Sequence, residues 1–188
     1  MACAGREFIT DPPNEQGFFE NNPIYQSPAQ PIPKLAFSGP SFYQIPVFPS
    51  FPAQLPDASA TTALGREIGR AAQAGDVIAL VGDLGAGKTT LTQGIVKELG
   101  YQQEVTSPTF SLVQEYLGGR LEVYHFDFYR VENEHELIDL GWDDYLDRKG
   151  LIIVEWPSLH PHLLPKATRW LKLTHQTDGR LIEEAQHP

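Results

Sequence analysis

The stretch that decides the fold runs from Val77 to Thr89 and reads VIALVGDLGAGKT. Its second half fits G-x-x-x-x-G-K-[ST], the pattern in which backbone amides wrap a β-phosphate at the start of a helix. Glycines permit the turns of such a loop and leave its amides free to hold an anion. Lys88 is placed to bridge the β- and γ-phosphates of ATP, and the Thr89 hydroxyl can ligate Mg²⁺. The candidate nucleotide-binding residues are Asp83, Leu84, Gly85, Ala86, Gly87, Lys88, Thr89 and Thr90.

The residues on either side of this loop predict the strand and the helix that the pattern requires. The apolar run ending at Val81 predicts a strand buried on both faces, and a helix is expected from about Lys88 to Leu99, ended by Gly100. Another helix is predicted before the strand, with Asp57 as its cap and a buried stripe of Ala60, Leu64, Ile68 and Ala71/Ala72. The strand, the glycine loop and the helix that follows it form a β-loop-α unit.

The rest of the chain predicts further strands and one more helical stretch. Phe110 to Tyr116 and Leu121 to Phe128 flank two glycines and indicate an antiparallel hairpin. Buried strands are predicted at Leu151 to Val154 and at Arg169 to Thr174, with a helical stretch at about Glu134 to Leu146. We therefore expect an α/β fold, a P-loop NTPase-like three-layer sandwich with a mostly parallel central sheet and an inserted antiparallel hairpin.

Two carboxylates are candidates for completing a phosphate site, because hydrolysis also needs groups that hold the metal and orient the attacking water. Glu155 directly follows a buried strand, where a parallel sheet presents its ligand-facing residues. Asp127 lies on a predicted strand in alternation with His125. Each also has an ordinary interpretation: Glu155 as the partner of a lysine, Asp127 in a turn or salt bridge, and His125 as a hydrogen-bonded structural residue.

A loop and an arginine are further candidates. Ser107 and Thr109 flank a proline before a predicted strand, and such a loop could act as a switch that senses the γ-phosphate. An ordinary turn with capping hydroxyls is the alternative. Arg130 could neutralise charge in a transition state, although an arginine beside tyrosines is commonly engaged in packing or pairing.

The composition limits the classes of partner. The chain has 188 residues and a formal net charge of −10, which would repel a nucleic-acid backbone, so we expect no unaided binding of RNA and expect proteins as partners. The longest apolar runs are four or five residues, which excludes a membrane-spanning segment. Cys3 is the single cysteine, so no intramolecular disulfide can form, and a cytoplasmic location is expected.

Three regions are predicted along the chain. Residues 1–50 hold most of the prolines and no sustained period, which indicates a poorly ordered extension. Residues 51–176 form the predicted P-loop ATPase domain, to which Phe51 to Leu55 could add an edge strand. Residues 177–188 are expected to be a polar C-terminal tail that frays.

Four motifs in this order resemble those of the TsaE (YjeE) family, the small ATPases of bacterial tRNA threonylcarbamoyladenosine synthesis. They are the loop Gly82 to Thr90, Ser107-Pro108-Thr109-Phe110, His125 to Arg130, and Val154-Glu155-Trp156-Pro157. The resemblance runs from about Leu55 to Thr174 and leaves out the first fifty residues. It implies a Mg²⁺-dependent ATPase that works with TsaB and TsaD to place threonylcarbamoyl on the adenosine beside the tRNA anticodon.

The resemblance also implies roles by position. Lys88 and Thr89 carry the phosphate and metal roles, Glu155 a second metal role, and Asp127 a catalytic or metal-linked role. Trp156 and Thr61 match positions that line the nucleotide pocket, and Thr62 lies beside Thr61.

The sequence is also compatible with other functions. A P-loop kinase for a small metabolite would need a lid with arginines, which is hard to place after Asp127. A GTPase would need an N-K-x-D motif, which does not occur in the sequence. A non-hydrolysing ATP-binding regulatory module would use the same loop. The acidic stretch from Glu132 to Asp147 suits either a solvated helix face or a docking face for a basic partner.

Overall fold

The computed structural model describes residues 47–108 and 111–187. Within them the elements follow the α/β order that the sequence predicts. They are β1 (Ala53–Leu55), α1 (Ala58–Ala71), β2 (Val77–Val81), α2 (Lys88–Glu98), β3 (Val113–Tyr116), β4 (Val123–Asp127), α3 (Glu134–Leu140), α4 (Trp142–Asp147), β5 (Leu151–Glu155), β6 (Arg169–Gln176) and β7 (Gly179–Ala185), with short 3-10 turns at Phe128–Arg130, Pro157–Leu159 and Pro161–Leu163.

The seven strands form one mixed sheet in the order β1-β7-β6-β2-β5-β4-β3. The four central strands β6, β2, β5 and β4 are parallel, and β3, β7 and β1 add antiparallel edges. The carboxyl ends of β2, β5 and β4 therefore meet at one edge of the sheet, where open parallel sheets bind their ligands.

Side chains of β2 alternate between two hydrophobic cores, one on each face of the sheet. Ile78 and Leu80 pack with the buried residues of α1 and α2, whereas Val77 and Ala79 pack with those of α3 and α4. Because both faces are covered, β2 and β5 are apolar along almost their whole length. The α/β class and the layered architecture are confirmed.

Helices α1 and α2 pack at backbone distance because Gly65 on α1 and Gly94 on α2 face each other. A Cβ on Gly94 would lie 2.3 Å from the Thr62 carbonyl oxygen, and a Cβ on Gly65 would lie 2.3 Å from that of Leu91. The Asp57 carboxylate caps α1 by accepting from the Ala60 amide at 2.7 Å. The close approach of α1 to α2 thus depends on small residues at the contact.

Two segments differ from the sequence prediction. Residues 177–188 were expected to fray, but 179–185 form β7, which pairs with β6 on one side and β1 on the other. The polar residues there form backbone hydrogen bonds with strands on both sides. A hydropathy pattern does not reveal such bonds. The helical stretch at 134–146 is divided at Gly141, which has φ 85° and both ends α3 and precedes α4.

Two predicted features at the start of the chain are seen only in part. The edge strand expected at Phe51 to Leu55 is present as β1. Most of the extension predicted at residues 1–50 lies outside the described residues, and Thr109 does as well. No helix in the described ranges is long and apolar enough to cross a bilayer.

Gly94→Ala is expected to lower the free energy of unfolding by about 1–3 kcal/mol, because the added methyl overlaps the Thr62 carbonyl. Alanine has a higher helix propensity than glycine by about 1 kcal/mol, so a loss shows that the steric effect is larger. Urea unfolding of the variant measures it. Lys97→Ala, at an exposed position of the same helix, is the control and should change stability by less than about 0.5 kcal/mol. A Gly94→Ala protein as stable as wild type would disprove the close packing.

Candidate functional site

The loop between β2 and α2 bends at three glycines with positive φ. Gly82 has φ 151°, Gly85 φ 79° and Gly87 φ 103°, values that residues with a Cβ rarely adopt. Gly87 is also the N-cap of α2, and no side chain caps that helix. The amides of the loop and the positive end of α2 therefore face the same space, as the phosphate-binding pattern predicts.

Lys88 lies under this loop and is held by it. Its ammonium donates to the carbonyl oxygens of Gly82 at 2.7 Å and Asp83 at 3.0 Å, and lies 4.2 Å from the centre of the Trp156 ring. Burial lowers the pKa of Lys88, an effect opposed by the charges of Glu155, Asp127 and Asp83. The ammonium is thus held by two backbone oxygens of its own loop.

Glu155 ends β5 and is the centre of a buried hydrogen-bond network. One carboxylate oxygen, Oε1, accepts from the Thr89 hydroxyl and lies 3.0 Å from His125 Nε2. Burial alone raises the pKa of Glu155, but the hydrogen bond and charge of His125, the charge of Lys88 and the Thr89 hydroxyl together hold it below its ordinary value. Glu155 is therefore a carboxylate at neutral pH.

Asp127 ends β4 directly beside Glu155, its partner in the parallel register. Its Oδ1 accepts from the backbone amide of Tyr129 at 3.1 Å. Burial raises the pKa of Asp127; the Tyr129 amide opposes this, and the neighbouring Glu155 charge adds to it. The two acids thus have environments that shift their pKa values in opposite directions, a common arrangement at functional sites.

His125 is fully buried, and its Nε2 is hydrogen-bonded to Glu155. Its Nδ1 is buried without a hydrogen-bond partner among the described residues. Because a carboxylate oxygen can only accept, Nε2 is the donor in the contact with Glu155. His125 therefore contacts Glu155 from the buried side of the site.

These groups surround a cavity of about 490 Å³ at the carboxyl edge of the sheet. Ser107 reaches it from a loop that is anchored by the Tyr116 hydroxyl on Thr106 O at 2.5 Å and by Gln93 Nε2 on Val105 O at 2.9 Å. The cavity is lined by Leu84, Gly85, Gly87, Lys88, Thr89, Thr90, Ser107, Asp127, Tyr129, Arg130, Glu155, Trp156 and Arg180.

Three residues predicted to bind nucleotide are not in this lining. Asp83 and Ala86 belong to the turn of the loop, where the Ala86 amide donates to Asp83 O at 3.1 Å, and the Ala86 side chain is buried. Thr61 is fully buried, and its hydroxyl donates to Asp57 O at 3.0 Å. Because α1 packs so closely on α2, Thr61 contacts the loop from behind, with its methyl 3.7 Å from where a Cβ of Gly87 would lie.

Sequence reasoning missed two lining residues. The sequence analysis does not single out Tyr129. Its ring centre lies 5.2 Å from that of Trp156, and it forms part of the rim. Arg180 was missed because its segment was predicted to fray. The Asp178-Gly179 pair, a common turn signal in hairpins, was the feature that could have revealed a strand there.

The oxygen ligands of the site fit Mg²⁺ held together with phosphates. No group of three His, Cys, Asp or Glu side chains among the described residues could hold a metal by itself. Mg²⁺ needs no such group, because it is usually held by one or two carboxylates and by phosphate oxygens. The Thr89 hydroxyl and the Glu155 carboxylate, 3.0 Å apart beside Asp127, are such a set.

Comparison with known proteins gives one consistent family. Residues 55–182 match the family model "Threonylcarbamoyl adenosine biosynthesis protein TsaE". Proteins named tRNA threonylcarbamoyladenosine biosynthesis protein TsaE are similar to this chain: that of Bacillus subtilis is 46% identical over 106 residues, covering 56% of this chain and 66% of the relative. That of Haemophilus influenzae is 41% identical, covering 57% and 68%, and that of Treponema pallidum 37%, covering 63% and 87%.

A solved structure agrees with these relatives. The crystal structure of Bacillus subtilis YdiB superposes with a TM-score of 0.60 at 32% identity, covering 74% of this chain and 90% of that protein.

Asp127→Asn is expected to raise the free energy of unfolding at neutral pH when metal and nucleotide are absent. Because the pKa of Asp127 is raised above its ordinary 3.8, folding disfavours its charge, and this cost is present at pH values above the folded pKa. Asparagine keeps an oxygen for the Tyr129 amide and carries no charge. The advantage should disappear as the pH falls below about 3.8, where both states of the wild type are protonated. Urea unfolding in EDTA from pH 3.5 to 8 measures it; an advantage independent of pH would contradict this account.

Proposed function

Because the chain belongs to the family of threonylcarbamoyl adenosine biosynthesis protein TsaE, we propose that it is a Mg²⁺-dependent ATPase of that biosynthesis. In this proposal ATP turnover supports threonylcarbamoyl transfer to the adenosine beside the tRNA anticodon. The observation that carries it is the convergence of one ammonium, one hydroxyl and two carboxylates, those of Lys88, Thr89, Asp127 and Glu155, at a loop that folds around anions.

The loop binds the phosphates in this proposal. Its amides and the N-terminus of α2 hold the β-phosphate, while the Lys88 ammonium exchanges its two carbonyl contacts for phosphate oxygens. A doubly or triply charged phosphate chain is a stronger partner for an ammonium than neutral carbonyls, which makes the exchange favourable. Trp156 contacts the ammonium in the free state, so its environment changes when the lysine moves.

The two acids divide the remaining work. Thr89 and Glu155 would hold Mg²⁺, which neutralises charge that develops on the phosphates. Asp127 is placed to orient the attacking water and to accept its proton, and its raised pKa favours proton acceptance over that of an ordinary aspartate. Glu155 stays ionised because His125 and Lys88 stabilise its charge. The opposite pKa shifts are what two carboxylates with different roles require.

We propose TsaB and TsaD as the partners, with tRNA contacted only through them. The net charge of −10 supports this division, because a tRNA backbone would be repelled by the chain itself. The single cysteine and the tRNA-linked names of the relatives support a cytoplasmic place of action.

The hydrolysis proposal is tested by phosphate release from ATP and Mg²⁺, with and without the partner pair. Lys88→Ala removes the ammonium and Glu155→Gln removes the charge at the metal position, so each is expected to lower kcat on the order of 100-fold. Lys97→Ala is the matched control, since it removes an exposed lysine of the same helix that does not line the cavity. Wild-type turnover no faster than that of the two site variants under every condition would show an ATP-binding module instead. Transfer of phosphate to an added metabolite would show a kinase.

The partner proposal is tested by co-purification of the full chain with a TsaB–TsaD pair in the presence of ATP and Mg²⁺. We expect association, with a Kd that Lys97→Ala does not change. A variant with Glu134, Glu136 and Asp139 all changed to lysine, on the acidic helix α3, tests that face: weaker association shows docking there, and an unchanged Kd shows a solvated face. No association of the wild-type chain would refute the partnership while leaving hydrolysis to its own assay.

A further inference from the structure

Arg180 is a cation at the nucleotide cavity with a buried and unsatisfied donor. It lines the cavity from the second residue of β7, and its Nε is excluded from solvent without a hydrogen-bond partner in the described part of the chain. None of the ion pairs among the described residues involves Arg180. Leaving a charged donor unsatisfied disfavours the free state, so the position calls for an explanation.

The backbone holds Arg180 firmly in this place. It pairs with His175 on β6 and with Leu55 on β1, so its register is fixed from both sides. Its Nε lies 3.2 Å, and its Cδ 3.3 Å, from where a Cβ on Gly87 would be. The side chain is therefore stacked against the last glycine of the phosphate loop. His175, its cross-strand partner, also approaches the loop, and its Nε2 lies 3.8 Å from where a Cβ on Gly85 would be.

The sheet order separates Arg180 from the acids of the cavity. The acids and Trp156 follow β4 and β5, on one side of β2, whereas Arg180 reaches the loop from β6 and β7 on the other side. In the function proposed above, the metal and the bond to be broken lie with the acids. The phosphates nearer the nucleoside are then left for the side of Arg180.

We propose that Arg180 binds the phosphate groups that ATP and ADP share, from the side of the pocket opposite the metal. The inference rests on nucleotide binding as proposed above and adds the C-terminal hairpin to the binding site. A guanidinium matches phosphate oxygens with two parallel donors, and that of Arg180 belongs to a side chain that lines the cavity against the phosphate loop. Since Arg180 takes no part in the reaction at the terminal phosphate, it contributes affinity rather than turnover.

Calorimetric titration of the full chain with ADP, and with ATP, in the presence of Mg²⁺ tests this. Arg180→Ala is expected to weaken the binding of ADP and of ATP by the same factor, about tenfold or more, because each nucleotide loses one charge-assisted contact. Arg180→Lys keeps the charge without the fork and should give a smaller loss for both. Arg169→Ala is the matched control: it removes an exposed arginine of the same hairpin that is paired with Glu184 and does not line the cavity.

Several results would overturn the inference. Unchanged ADP affinity in Arg180→Ala would show that Arg180 does not bind the shared phosphates. A loss confined to ATP, together with a lower kcat, would place it at the terminal phosphate instead. If thermal melts show that the alanine variant is not folded, Arg180→Gln, which keeps the length of the side chain, decides by the same ADP criterion. Because ADP binding is measured separately from hydrolysis, a wild type that binds ADP without cleaving ATP would refute the ATPase proposal and leave this one standing.

Discussion

The backbone between β2 and α2 turns through conformations that residues with a side chain rarely adopt, and the rest of the structure is arranged around that turn. Gly82, Gly85 and Gly87 have positive φ, so the loop can bring its amides and the first turn of α2 to one point. Such a bend is stable only if both ends are fixed. The fixed ends are β2, buried between two cores, and α2, packed on α1 at backbone distance through Gly65 and Gly94.

Around the loop the fold gathers charges that a small protein would otherwise leave in water. Lys88, Asp127 and Glu155 are each about 5% exposed or less, and burying charge is costly unless it is paired or used. They compensate each other only in part, since Glu155 is stabilised as an anion while Asp127 is not. This imbalance has a physical explanation if a metal and a polyphosphate complete the site. The same reasoning applies to Arg180, whose buried donor has no acceptor among the described residues.

The strands on either side of β2 give the two sides of the cavity different chemistry. On the β4 and β5 side, Glu155 is hydrogen-bonded to Thr89 and His125, and Asp127 lies beside it in the strand register. On the β6 and β7 side the contacts are those of a hairpin that carries a cation to the loop. The two acids and Arg180 thus reach the cavity from opposite flanks of β2.

The sequence by itself determined the features that depend on neighbours along the chain. The glycine spacing defined the loop, the apolar runs defined β2 and β5, and Glu155 and Asp127 could be selected because each ends a buried strand. Only the tertiary structure decided which residues from distant segments meet there. The contact of His125 with Glu155 and the burial of Thr61 depend on strand register and on close packing of the helices, which no local pattern encodes. Arg180 lay in a polar segment whose order comes from hydrogen bonds to strands on both sides, and such backbone pairing leaves no mark in hydropathy.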